Sequence, residues 1–110
     1  MARKKIRRDV VEEFDRYFGN ASNLANWQRL CWDVGIEEDL NSVRKCRQAL
    51  SKVFVNIWDL LDAVKADTTP TLFPNRRELA NYTMRTRRVY PKEKAKEEGP
   101  VRALLIHIFN

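Results

Sequence analysis

The chain has 110 residues, of which 44% are hydrophobic and 33% are charged, a composition typical of one small globular domain. No apolar run approaches the about 20 residues that a membrane-spanning helix needs, and no apolar stretch of a secretory signal follows the charged start. Two cysteines are too few for the disulfide framework of a small secreted domain, so we expect a nuclear or cytoplasmic protein without a membrane partner.

Charge is unevenly distributed along the chain, whose formal net charge is +6. Residues 1–8 carry five bases and no acid, residues 9–75 carry eleven acids and seven bases, and residues 76–110 carry nine bases and four acids. Two basic ends around an acidic middle indicate an anionic partner at the ends, or an acidic face that meets a basic one. We interpret residues 1–8 as a basic arm, ordered or disordered, and residues 9–110 as a single helical domain.

The first two helices are predicted from caps and from apolar spacing. Asp9 and Glu12 form a capping-box pattern, and apolar residues at three- and four-residue steps follow them as far as Gly19. A second helix is predicted from near Asn20 or Ser22 to residue 35. Its apolar stripe consists of Leu24, Trp27, Leu30, Cys31 and Val34. Residues 36–40 are interpreted as a connection whose acids precede the next helix.

The longest apolar series in the sequence lies between residues 43 and 64. Its members are Val43, Cys46, Leu50, Val53, Phe54, Ile57, Leu60, Leu61 and Val64. This spacing predicts one long helix over about 42–65, with Asn56 and Asp59 on a narrow polar line along it. A helix that is apolar nearly all round is central to its domain, so we expect the other helices to pack around it. We interpret Asn56 and Asp59 as a buried polar network that satisfies a neighbouring helix end or loop.

The rest of the chain predicts a loop and then short helices. Two prolines and three threonines favour a loop over 67–74, after which Asn75 and Glu78 form a capping box that opens another helix. Residues 85–90 are interpreted as a turn, residues 91–98 as a short helix that starts at Pro91, and the segment after Pro100 as a last amphipathic helix. The predicted fold class is therefore all-α, a compact bundle of five or six helices around the long helix at about 42–65.

Several phrases of the sequence carry a family resemblance. They are NLANWQRLC at 23–31, VNIWDLLDA at 55–63, FPNRRELANYT at 73–83, and the ending from Tyr90 to residue 108. In residues and in order, these segments resemble segments of small conserved, uncharacterised single-domain proteins of filamentous fungi. The resemblance extends from about residue 10 to the end of the chain. It implies one compact domain and carries over no catalytic or binding residue.

We find no motif that indicates catalysis, a metal or a cofactor. Only Cys31, Cys46 and His107 offer thiol or imidazole ligands, and their spacing is not that of a zinc site. His107 is interpreted as a residue at the edge of the last helix and Cys31 as a buried thiol. The three glycines each fall at a predicted helix end, which leaves no phosphate-binding loop. We therefore expect a protein that is not an enzyme, with no catalytic residues, no metal site and no cofactor.

The basic segments are candidates for binding DNA or RNA. Arginines beside an aromatic side chain can hold phosphates and stack on a base, whereas a mixture of Lys and Glu over 92–97 is typical of a solvated surface. The predicted nucleic-acid-binding residues are Arg3, Lys4, Lys5, Arg7, Arg8, Arg76, Arg77, Arg85, Arg87, Arg88, Tyr90 and Lys92.

Apolar side chains outside the main stripes are candidates for binding a protein. Trp32 lies roughly 80–100° around its helix from the stripe, where an indole either packs under a loop or anchors a partner. Ile106 and Phe109 give the last helix more apolar surface than one-sided packing needs. We therefore favour a non-catalytic interaction module, acting as an adaptor or a homo-oligomer, and keep nucleic-acid binding as the alternative.

Overall fold

The computed structural model describes residues 8–106. In this range the chain forms six α-helices and one short 3-10 turn. They are α1 (Val10–Phe18), α2 (Leu24–Asp33), α3 (Val43–Leu50), α4 (Ile57–Lys65), α5 (Arg76–Thr86), the 3-10 turn (Lys92–Lys94) and α6 (Pro100–Leu104). The one β pairing in the described part is an isolated antiparallel bridge between Phe54 and Phe73. The predicted all-α bundle is confirmed.

Each of the first five helices begins at a side-chain cap. The first backbone N–H groups of a helix have no carbonyl partner within it, and a short polar side chain satisfies one of them. The predicted caps of α1 and α5 are confirmed: Asp9 accepts from the N–H of Glu12 at 3.1 Å, and Asn75 accepts from that of Glu78 at 2.9 Å. Asn23, Ser42 and Asn56 cap the other three helices in the same way.

The prediction of a single long helix over about 42–65 is wrong. Helix α3 ends at Leu50, residues 51–56 leave the helical path, and α4 begins at Ile57. Phe54 accepts a hydrogen bond from the N–H of Phe73 at 2.8 Å, and Val55 is fully buried from this non-helical segment. The apolar series is continuous because both helices and the segment between them face the core, so its spacing alone does not reveal the break.

Asn56 is the polar residue on which this break depends. It is 3% exposed and has the extended backbone of an N-cap, with Oδ1 accepting from the N–H of Asp59 at 3.2 Å. Its Nδ2 donates to Thr83 Oγ1 at 3.2 Å and to the carbonyl of Arg88 at 2.9 Å. The prediction is therefore confirmed for Asn56, whose side chain joins the start of α4 to α5 and the segment after it, whereas Asp59 is only half-buried.

The core consists of the inward faces of the helices. Phe18 meets Trp27 edge to face at a centroid separation of 5.3 Å, and the Trp27 indole donates to the carbonyl of Ala21 at 2.8 Å. Helix α3 packs on α2 and α6, and α1 packs on α4. The largest fully buried side chains are Trp27, Phe14, Leu30, Leu50, Ile57, Leu60, Leu79, Val34, Val55 and Cys46.

The C-terminal part is less helical than predicted. The helix predicted over 91–98 is reduced to the 3-10 turn at Lys92–Lys94, while Val101, Leu104 and Leu105 are buried as the amphipathic pattern predicts. Residues 1–7 and 107–110, and with them most of the predicted basic arm, lie outside the described residues. No helix between residues 8 and 106 combines the length and the hydropathy that crossing a bilayer requires.

Candidate protein-binding surface

Trp32 is the largest apolar side chain that the described part of the chain leaves in solvent. Helix α2 buries Trp27, Leu30 and Cys31, and because each residue turns the helix by 100°, the next position after Cys31 points away from the core. The Trp32 side chain is 67% exposed. An indole combines a large apolar body with one N–H donor, which makes an exposed tryptophan a frequent anchor for a partner.

The connection after α2 folds back beside this indole. Gly35 ends the helix with a positive φ of 96°, and the N–H of Ile36 donates to the carbonyl of Cys31 at 2.9 Å. Further along, Gln28 Nε2 donates to the carbonyl of Leu40 at 2.7 Å, which holds the connection against α2. The result is a groove of about 330 Å³ next to Trp32. The residues of this Trp32 groove are Gln28, Cys31, Trp32, Ile36, Glu37, Glu38, Asp39 and Leu40.

The Trp32 groove continues into a second groove along α3. The second groove measures about 460 Å³ and shares Ile36, Glu38 and Leu40 with the first. Its remaining lining residues are Lys45, Gln48, Ala49, Lys52 and Val53. Ile36, Leu40 and Val53 are partly buried and pack on the core from their inner sides, so their outer sides form an apolar floor.

Charge differs between the two ends of this floor. Three consecutive acids, Glu37, Glu38 and Asp39, are exposed beside Trp32, whereas Lys45 and Lys52 line the far end along α3. The surface therefore has an apolar centre with an acidic and a basic margin. An apolar centre with a polar rim is the usual anatomy of a protein–protein interface.

Cys31 is a potential nucleophile among the residues that line the Trp32 groove. Its environment keeps the thiol protonated. It is 2% exposed, and burial together with the neighbouring Cys46 raises the pKa of Cys31 to about 12. A thiol with such a pKa is a poor nucleophile at neutral pH. In the range 8–106, no three His, Cys, Asp or Glu side chains are grouped so that they could hold a metal ion.

Two of the predicted nucleic-acid-binding arginines form ion pairs with acids of the same chain. Arg8 contacts Glu13 at 2.6 Å and Asp62 at 2.8 Å, and its guanidinium lies 5.1 Å from the ring centroid of Trp58. Arg88 contacts Asp59 at 3.0 Å and Asp62 at 2.9 Å. These contacts tie the start of α1, helix α4 and the end of α5 together, so both residues have a structural role.

The other predicted basic residues are distributed over several places. Tyr90 is only 7% exposed and presents no ring face for stacking on a base, whereas Lys92 is exposed in the 3-10 turn. Arg76 and Arg77 are exposed in the first turn of α5. Of the predicted protein-binding residues, Ile106 is half-buried. Outside the described range lie Arg3, Lys4, Lys5, Arg7 and Phe109.

Helix α5 turns a mixed basic and apolar face to solvent. The helix buries Leu79 on its inner side, and Met84 on its outer side is 74% exposed. The guanidinium of Arg85 lies 5.8 Å from the ring centroid of Tyr82, and Arg87 ends the helix with a positive φ of 59°. We call the exposed residues Arg77, Asn81, Met84, Arg85 and Arg87 the α5 outer face.

Sequence reasoning found Trp32 and missed the groove beside it. The groove depends on the connection of residues 36–40 folding back onto α2, which no helical periodicity reports. A signal was nevertheless present in the sequence: Ile36 and Leu40 bracket three acids, and a solvated connection has no need of two large aliphatic side chains.

Comparison of the chain with protein-family models, with curated proteins and with solved structures gives no match. The resemblance to single-domain proteins of filamentous fungi stays a prediction.

Proposed function

We propose that the chain is a small, non-catalytic helical interaction module of the nucleus or cytoplasm, which binds another protein or a second copy through the Trp32 groove. The observation that carries this proposal is the 67% exposure of Trp32 at the edge of a continuous apolar floor. An exposed apolar patch with a rim of polar residues is typical of an interaction site.

The free energy gained by covering the exposed Trp32 indole supports a binding role for it. Two-thirds of a tryptophan side chain corresponds to roughly 150 Å² of apolar surface, and covering it would contribute about 4 kcal/mol at 25 cal/mol per Å². Ile36, Leu40 and Val53 would add to this area because their outer sides are open. Tryptophans at the centre of an interface are often residues whose truncation costs 2 kcal/mol or more of binding free energy.

The proposal is tested by comparing Trp32→Ala with the unaltered chain in affinity capture from native extract treated with nuclease. We expect proteins retained by the unaltered chain to be lost with Trp32→Ala, while circular dichroism shows the same helicity for both. Leu72→Ala is the matched control, since Leu72 is 45% exposed and lies outside the groove. Retention of the same proteins by all three chains would contradict the proposal.

Nucleic-acid binding is a second candidate function, favoured by one observation. The α5 outer face presents three exposed arginines, one of them stacked on Tyr82, on a helix that contains a single acid. Three phosphate contacts would give a slope of about −3 for log affinity against log salt on duplex DNA. The triple variant Arg77→Ala, Arg85→Ala, Arg87→Ala would then abolish a mobility shift seen at low salt.

The protein-binding proposal has the better support of the two. Arg8 and Arg88, which would enlarge a phosphate-binding surface, are paired with Glu13, Asp59 and Asp62. Tyr82 is partly buried under Arg85, and Tyr90 is buried, which limits base stacking at this site. The Trp32 groove has an exposed aromatic anchor and an apolar floor, the two features that protein partners require.

A further inference from the structure

The acids of the Trp32 groove restrict what can cover it. Glu37, Glu38 and Asp39 are all exposed along one margin. If two copies paired groove to groove with their Trp32 side chains in contact, six carboxylates would meet around the two indoles. Like charges brought together at an interface oppose association, so the acidic margin favours a basic occupant next to Trp32.

The same chain carries a surface of the complementary kind. The α5 outer face has three arginines around Met84, whose flexible thioether side chain is 74% exposed. Methionine adapts to irregular apolar grooves and makes favourable sulfur–aromatic contacts. The one acid of α5, Glu78, lies in the first turn, two turns before Arg85.

The two surfaces have no residue in common, so one copy can use both at once. The Trp32 groove is built from α2 and residues 36–40, whereas the α5 outer face lies on a helix that makes no extensive contact with α2 or α3. Their charges are opposite, and each includes one large exposed apolar side chain, Trp32 in one and Met84 in the other.

We propose that the α5 outer face of one copy docks into the Trp32 groove of another, so that the chain associates with itself head to tail; this inference rests on the proposed function of the groove. Met84 packs against the Trp32 indole over Ile36 and Leu40, and Arg85 and Arg87 meet the acids Glu37 to Asp39. Because the two surfaces differ, every added copy leaves one groove and one α5 face free. The assembly grows with concentration until a ring closes.

Salt has a defined effect on such an assembly. The rim charges of both surfaces are exposed, so salt screens the attraction between them once the Debye length is shorter than the distance between the charges. The Debye length is about 10 Å at 0.1 M salt and about 3 Å at 1 M. We expect light scattering to show an average mass that rises with protein concentration at low salt and falls toward the monomer as salt is added.

Two single substitutions separate the two surfaces. Trp32→Ala removes the anchor of the groove and leaves α5 intact, whereas Met84→Glu places an acid in the centre of the basic face and leaves the groove intact. Each variant alone is expected to stay monomeric, with the dissociation constant raised at least about 30-fold. Leu72→Glu is the matched control, because it places the same acid on another exposed apolar residue outside both surfaces.

Mixing the two variants gives the decisive result. The intact α5 face of Trp32→Ala can dock in the intact groove of Met84→Glu, and no further interface is available, so the mixture forms a dimer of twice the chain mass and nothing larger. A mixture that stays monomeric although the unaltered chain associates would overturn the proposal, because it would show that both substitutions affect a symmetric interface.

Two other outcomes also overturn the proposal. One is a monomer at every concentration in low salt, which leaves the groove to a different protein; the Trp32→Ala capture experiment then tests the proposed function separately. The other is a nucleic-acid mobility shift that Arg85→Glu with Arg87→Glu abolishes while self-association is unchanged, which assigns the α5 outer face to nucleic acid.

Discussion

The side-chain amide of Gln28 donates a 2.7 Å hydrogen bond to the backbone carbonyl of Leu40, and this contact holds the acidic connection against α2. Gln28 lies one helical turn before Trp32, so a single helix face carries both the indole and the residue that places the groove wall beside it. The groove is therefore a structure held in place before any partner arrives, which lowers the entropic cost of binding.

Replacing Gln28 by Glu tests this role of the amide. The new side chain keeps its size but has no donor for the Leu40 carbonyl, so the connection loses a contact of about 1 kcal/mol. We expect faster amide hydrogen exchange over residues 36–41 and weaker binding at the groove, with the unfolding free energy lowered by no more than about 1.5 kcal/mol. Unchanged exchange in these amides would show that Gln28 does not hold the connection.

Asn56→Ala is expected to destabilise the fold more than an ordinary cap substitution. It removes the α4 cap and leaves the partly buried Arg88 carbonyl without its donor, a combined cost of about 2–4 kcal/mol. Asn75→Ala is the matched control, since Asn75 caps α5 at an exposed site and its loss should cost about 1 kcal/mol. Urea denaturation measures both, and equal losses would contradict the network described for Asn56.

Glu13 makes the free energy of unfolding depend on pH in the acid range. Hydrogen bonds from Arg8 and Lys65 hold the pKa of this carboxyl below its usual value of 4.5. Its contribution is present above that value and is lost as the pH falls through the lower pKa of the folded state. Glu13→Gln should therefore be less stable than the unaltered chain at pH 7, and the difference should shrink toward pH 3. A difference that is the same at both pH values would contradict this assignment.

Cys31 makes the free energy of unfolding depend on pH in the alkaline range. Burial raises its pKa from 9.0 to about 12, so folding favours the neutral thiol. The corresponding stability is complete below pH 9 and is lost as the pH rises from about 9 to 12. At pH 8 we expect iodoacetamide to leave Cys31 unmodified in the folded chain and to modify it in urea, as measured by mass spectrometry of the peptides. Stoichiometric modification under native conditions would show that the thiol is accessible.

The elements that sequence reasoning predicted correctly are those decided by neighbouring residues. Asp9 with Glu12 and Asn75 with Glu78 each form a cap within three residues, so the starts of α1 and α5 follow from the local pattern. The break after α3 is decided elsewhere: Phe54 pairs with Phe73, and Asn56 bonds to Thr83 and Arg88. Contacts about twenty to thirty residues away leave no trace in the spacing of apolar residues.

The same reason explains which candidate residues could be predicted. Trp32 follows from its angular position on α2 relative to Trp27 and Cys31, a local property. Arg85 and Arg88 look alike in the sequence, yet Arg88 is paired with Asp59 and Asp62 on another helix while Arg85 lies over Tyr82 of its own helix. Only the packing of α5 beside α4 separates the two.

A photo-crosslinking amino acid placed at position 32 tests the central claim most directly. With p-benzoylphenylalanine in place of Trp32, irradiation of cells or of the concentrated protein should yield discrete protein adducts, including the chain itself if it associates with itself. The same group at Leu72, which is exposed outside the groove, should yield none of these adducts. No protein adduct at position 32, or the same adducts from both positions, would contradict the assignment of this groove as a protein-binding surface.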